Sequence, residues 1–368
     1  MSRSIFEEVD RAAEQKQPIK PGAADAKRQA DRRLAQIWLL ILSAMIVIQI
    51  LIGGMTRLTD SGLSITEWNL VTGTLPPLSD TAWSAAFAQY QKTAEYQQQN
   101  TGMSLSDFKT IYWWEWGHRF WGRIIGLATL VPLAFFWVRK RIPPGYGPRL
   151  AGFAALIVVQ GVVGWWMVQS GLSERLDVSQ YRLAAHLFLA FAALGLALWM
   201  ALALKWAEWE NLAARRRREL RPRRAMQGLF AVASVQIIIG AFVAGMDGGV
   251  IYTQWPLMGD GFFPSNEPFH PFENPAAAQF SHRIIGYVLC AVAIAAWLTM
   301  RRSAFAKTKR WANIALGAVF LQAVIGVATL MHHAPLSWSI IHQCGAIAVF
   351  MVLIHAWRQV SYPMEEKR

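Results

Sequence analysis

Apolar residues along this chain gather into eight blocks, each about 20 residues long, the length of helix that crosses a bilayer core. They fall near 35–55, 118–138, 149–169, 181–204, 226–246, 280–300, 311–331 and 337–357. Backbone polar groups find no water in lipid, so each block is expected to satisfy its own as an α-helix. The pattern predicts an all-α integral membrane protein with eight transmembrane helices.

The polar segments fix the orientation. Lys27, Arg28, Arg32 and Arg33 precede the first block, and Arg139, Lys140 and Arg141 follow the second. Arg215 to Arg218, Arg223 and Arg224 follow the fourth, and Arg301, Arg302, Lys307, Lys309 and Arg310 separate the sixth from the seventh. These are alternate connections, so the positive-inside rule places them and both termini in the cytoplasm. The net charge of +13 could suit nucleic acid, but its confinement to one side of the spans assigns it to topology and excludes that partner. The first 33 residues lack an early apolar core and carry acids such as Glu7, Glu8 and Asp10, which argues against a secretory or mitochondrial leader. The two cysteines, Cys290 and Cys344, lie inside apolar blocks and read as small core residues, with no loop disulfide or thiolate metal site.

The chain repeats itself once. Residues 49–77 align without a gap on 236–264, with identities that include Gln49/Gln236, Gly53/Gly240, Asp60/Asp247, Gly62/Gly249, Trp68/Trp255 and Pro77/Pro264. His-Arg-x-x-Gly then occurs at His118 to Gly122 and at His282 to Gly286. Spans one to four therefore correspond to spans five to eight, as two tandem pseudo-symmetric four-helix bundles, N-in and C-in. The predicted organisation is a flexible cytoplasmic tail (1–33), an N-terminal bundle (34–204) with a long external loop (57–117), a basic linker (205–225), a C-terminal bundle (226–358) and a short tail (359–368). Gln-x-x-x-Gly recurs in every odd-numbered span, at Gln49/Gly53, Gln160/Gly164, Gln236/Gly240 and Gln322/Gly326. A spacing of four puts both residues on one helix face, which predicts close helix packing, with the lining of a cofactor cavity as the other reading.

Four histidines stand out. His118, His186, His282 and His342 sit at the outer ends of the even-numbered spans, two in each half. A lone helical histidine is usually a satisfied core residue, but ionisable groups in spans carry a cost that function usually explains. Haem iron takes axial imidazoles from facing helices, whereas zinc wants three or four ligands, so two per half points to haem. His270, His332, His333 and His355 read as ordinary polar residues. The halves differ at Glu115, three residues before His118, where the second half has Gln279. A carboxylate there can take protons or stabilise a developing cation; the plainer reading is an exposed acid at a helix N-terminus. Arg119 and Arg283 are candidates for pairing with haem propionates, or for snorkelling to headgroups. Trp113, Trp114 and Trp116 are expected in an interfacial aromatic belt, with a substrate lid as the alternative. Arg57 and Asp60 are expected to help order the external surface.

With Glu115-Trp-Gly-His118-Arg119, the partners His186, His282 and His342, Gly53-Gly54-Met55-Thr56-Arg57 and the duplicated framework, the chain resembles the haem A synthase family. The resemblance covers nearly everything after residue 34 and is nearest the alphaproteobacterial and mitochondrial branch, which lacks external cysteine pairs. It implies a bacterial inner-membrane oxidoreductase, with its haem sites near the periplasmic face, that converts a methyl group of haem O to the formyl group of haem A. Two successive hydroxylations would give an alcohol and then a gem-diol that loses water. By the same resemblance His118 and His186 face the substrate haem O, His282 and His342 ligate a haem B, and Glu115 is the essential glutamate. Haem O, surrounding lipids and an electron donor are the expected partners, and the sequence leaves open whether a haem O synthase or a second copy of the chain binds as well. The residues alone also suit a two-haem electron carrier, which needs only the histidine pairs, and less well a transporter.

Overall fold

The computed structural model describes residues 22–69, 72–172, 175–264 and 269–364. Most of the predicted N-terminal tail and the end of the C-terminal one lie outside these residues. Eight long apolar helices carry the spans. In the first half these are α1 (Ala23–Leu58), α4 (Leu105–Val138), α5 (Gly147–Gly171) and α6 (Gln180–Leu204). In the second they are α8 (Leu220–Gly245), α9 (Pro275–Met300), α10 (Ala306–Met331) and α11 (Leu336–Ser361). Short helices α2 (Asp80–Tyr90) and α3 (Ala94–Gln98) lie in the long first loop, and α7 (Glu208–Arg216) lies in the basic linker. No strand forms among the described residues.

The first helix starts upstream of residue 34, where the sequence places the start of the bundle. Asp31 in this extension accepts a 2.6 Å ion pair from Arg141, which follows α4, so the added turns are fastened to the bundle. The second span also starts early. The 34 residues of α4 make about 51 Å of helix, well beyond a bilayer core of about 30 Å. Ser104 caps it in a reciprocal box with Asp107. Its projecting turns join α2 in an aromatic cluster of Trp83, Tyr90, Phe108 and Tyr112. Trp113 and Trp116 belong to this helical extension, the latter stacked on Phe120.

The spans of the first half pack around an apolar core that also takes in Ile347, Phe350 and Ile354 of α11, and a second core lies within the other half. Two indole N–H groups tie α1 to α4, Trp38 to the Ala128 carbonyl at 2.8 Å and Trp121 to that of Met45 at 2.9 Å. The halves meet through α1 and α6 on one side and α8 and α11 on the other. Phe350 and Ile354 of α11 fill the space beside Gly195 of α6, where a Cβ would crowd them. Cys290 packs on the second core, whereas Cys344 lies on the exposed face of α11, so only the first fits the expected core role.

Candidate functional site

The histidines meet in pairs. His118 on α4 faces His186 on α6 with ring centres 6.3 Å apart and planes at 79°. His282 on α9 faces His342 on α11 at 6.4 Å and 75°. An iron held between two imidazoles needs about 2 Å per bond and about 1.2 Å from each ring centre to its nitrogen, about 6.4 Å in all. The separations in both halves fit that demand.

Each histidine is held in the same way. The side-chain amides of Gln49, Gln160, Gln236 and Gln322 donate to the backbone carbonyls of His118, His186, His282 and His342, at 3.1, 2.9, 3.0 and 2.8 Å. A helical carbonyl has a second lone pair, so the bond adds to the helix ladder without breaking it. One turn on, Gly53, Gly164, Gly240 and Gly326 lie under the imidazoles, and a Cβ there would stand 2.9, 2.9, 3.1 and 2.9 Å from the ring atoms. The contact is reciprocal in α4 and α9, where Gly122 and Gly286 face Gln49 and Gln236. Thus the glutamine–glycine pairs do hold helices close, but what they close upon is the histidine. Their four amide oxygens are buried without a partner among the described residues, as is Nδ1 of His282. Of these atoms the unpaired ring nitrogen of His282 is the kind that a metal ion takes up directly.

The asymmetric position is equally well defined. Glu115 is 2% exposed, so the plainer reading of a solvent-facing acid at a helix N-terminus does not hold. Its Oε2 accepts from Ser64 Oγ at 2.8 Å and from the Ile65 N–H at 2.7 Å, and its Oε1 pairs with Arg119 at 2.5 Å. Gln279 stands in the matching place, 3% exposed, and donates to the Tyr252 carbonyl at 2.9 Å. Ile65 and Tyr252 are matching residues of the repeat. Arg119 and Arg283 match as well: the first donates to the carbonyls of Ile65 and Glu67, the second to those of Tyr252 and Gln254. Both arginines therefore clasp the loop that follows α1 or α8 over the histidine below. Arg119 also lies 5.0 Å from the Trp68 ring.

The sequence matches the profile of the COX15-CtaA family, described as cytochrome oxidase assembly protein, over residues 36–354. The chain belongs to this family. It is 46% identical to the heme A synthase of Dinoroseobacter shibae across 98% of its own length and 97% of the relative's. It is 45% identical to the heme A synthase of a Ruegeria species (99% and 98%) and 42% identical to that of Paracoccus denitrificans (99% and 97%).

The other sequence-derived residues are less concentrated. Arg57 donates to Asp60 at 2.7 Å and to Asp247 of the other half at 2.8 Å, so it joins the two halves beside the site. His332 stacks on Trp338 and His355 on Trp311, while His270 and His333 are exposed. Sequence reasoning missed Ser64 and the Ile65 amide as partners of Glu115, because no motif marks a loop that folds back on a later helix. It also read the four glutamines chiefly as packing residues. The signal for more was present: four glutamine–glycine pairs stand in the odd spans against four histidines in the even ones.

Proposed function

We propose that this chain oxidises a methyl group of haem O to the formyl group of haem A, with the substrate held in the N-terminal half and a haem B in the C-terminal half. The observation that carries the reading is two equally built histidine pairs with a buried carboxylate beside only one of them. The name shared by the close relatives and the cytochrome oxidase assembly family support the same reaction.

In this reading His118 and His186 bind the substrate iron, and His282 and His342 bind the iron of haem B. The bound haem B supplies one-electron chemistry at its iron. The chain's own residues do the positioning. Gln49, Gln160, Gln236 and Gln322 fix the ligand helices, and the glycines leave room for the rings. Glu115, paired with Arg119 and accepting from Ser64 and the Ile65 amide, places a carboxylate where removal of electrons from a methyl group builds positive charge, and its Oε2 can receive a proton. Gln279 has no such capacity, which suits a half that carries electrons without transforming its haem. The clasped loops exclude water above both pairs. Arg119 and Arg283 serve propionates only through donors that the loop carbonyls leave over, and Nε of Arg283 is one such group. The long-loop end, with both pairs, faces the periplasm, and the basic connections face the cytoplasm. A haem O synthase and a membrane electron donor complete the system.

Co-expression with a haem O synthase tests this, with extracted haems identified by mass. Haem A is expected only when the chain is present. Haem O left unchanged beside a haem-loaded chain would sink the enzyme and leave a two-haem electron carrier. Glu115→Gln is expected to keep both haems and lose at least about a hundredfold in haem A formation. Normal haem A from that variant would reduce Glu115 to a loop anchor.

A further inference from the structure

The histidine pairs lie in different halves, and their relative placement depends in part on how α1 meets α11. We propose that Gln343 is the positioning residue that sets this placement, tying the helix of His342 to the helix that cradles His118. The inference rests on the reading of both histidine pairs as haem ligands.

Gln343 follows His342 directly, and its Nε2 donates across the half boundary to the Ile50 carbonyl at 2.7 Å. Gly54 makes this approach feasible, because a Cβ there would overlap the Gln343 amide. Ile50 and Gly54 each follow directly on a residue already tied to the first pocket: Gln49 holds the His118 carbonyl, and Gly53 lies under the His118 ring. Two consecutive residue pairs of α1 thus serve the two pockets. A shift of α1 along α11 must break the Gln343 bond and at the same time carry the cradle of His118 with it.

The repeat supplies an internal control. Ile237 and Ala241 of α8 match Ile50 and Gly54, and Leu187 follows His186 as Gln343 follows His342. There Leu187 and Ala241 pack in an apolar cluster with Ala184 and Phe242. Leucine against alanine is therefore a sufficient solution for packing at this kind of contact. At the other contact the chain instead carries a half-buried amide and a glycine to admit it, so packing alone does not account for the pair. The hydrogen bond does: it fixes register, which an apolar contact between smooth helix faces leaves loose.

The test uses the full chain, purified with its haems after co-expression with a haem O synthase. The variants are Gln343→Leu, Gly54→Ala and the double, which recreates the Leu187/Ala241 pairing. Tm reports packing. The low-spin electron paramagnetic resonance signal of the N-terminal haem, identified as the one lost in His118→Ala, reports the imidazole planes of the distant pocket. Each single variant is expected to lower Tm, and the double to recover most of that loss. In all three the N-terminal signal is expected to shift its g values or broaden, with haem per chain unchanged. A double variant that regains both Tm and the native signal would make Gln343 a packing residue and overturn the proposal. So would an unaltered signal in Gln343→Leu, with two haems bound. A wild-type chain that binds no haem would overturn the ligand reading beneath it, and the proposal with it.

Discussion

At each of the four histidines a glutamine amide holds the backbone and a glycine admits the ring, so the imidazole has little freedom before any ligand arrives. Such preorganisation reduces the ordering cost of binding. The glycines are its most sensitive element. At Gly326 a Cβ would stand 2.9 Å from Cε1 of His342, whereas at Gly317 on the same helix nothing lies within 4 Å. Gly326→Ala is expected to push the ring aside and weaken haem retention in the C-terminal half by about 1–3 kcal/mol, while Gly317→Ala leaves it intact. Haem per chain, counted by pyridine haemochrome on washed protein, separates them. Equal retention by the two variants would show that the close approach carries no constraint.

Among the elements, α4 does two tasks. Its inner turns present His118, and its outer turns rise above the membrane to form a small aromatic domain with α2 and α3. Within that domain Glu95 is 3% exposed and accepts from the Tyr90 hydroxyl at 2.9 Å, with Asn100 nearby. Burial raises its carboxyl from 4.5 to about 8, against a smaller opposing effect of the Tyr90 bond and with a further rise from Glu115. The folded domain therefore keeps this proton to higher pH than an unfolded one. Its stability is fully present below 4.5 and falls as pH rises towards about 8, by up to about 1.4 kcal/mol per pH unit. Glu95→Gln is expected to flatten that slope. Hydrogen exchange across residues 80–112 between pH 5 and 8 measures it, and an unchanged slope would locate the pH dependence elsewhere.

Across the whole molecule, two half-bundles share an interface that α1, α6, α8 and α11 build, and polar ties near the long-loop end align them. Arg57 is the charged counterpart of Gln343: it gathers Asp60, Asp177 and Asp247 from three separate segments. Arg57→Ala leaves three carboxylates facing one another. Because these acids are largely solvated, the expected loss is on the order of 1 kcal/mol. Tm at low and high salt checks the cause. The gap from wild type should narrow as salt screens the repulsion, and a gap indifferent to salt would point to lost packing instead.

The eight spans, the duplication and the histidines could be read from residue order, because bilayer thickness, helix periodicity and internal repetition act on local sequence. The blocks predicted near 149–169 and 311–331 lie within α5 and α10. The family resemblance was legible for the same reason: its motifs are short and contiguous. Other features depended on the tertiary structure. The loop after α1 folds back so that Ser64 and the Ile65 amide reach Glu115, and α11 crosses α1 so that Gln343 reaches Ile50. Those contacts join residues far apart in the chain. Local periodicity fixes which face a helix presents, but only the packing of the helices decides which residue that face will meet.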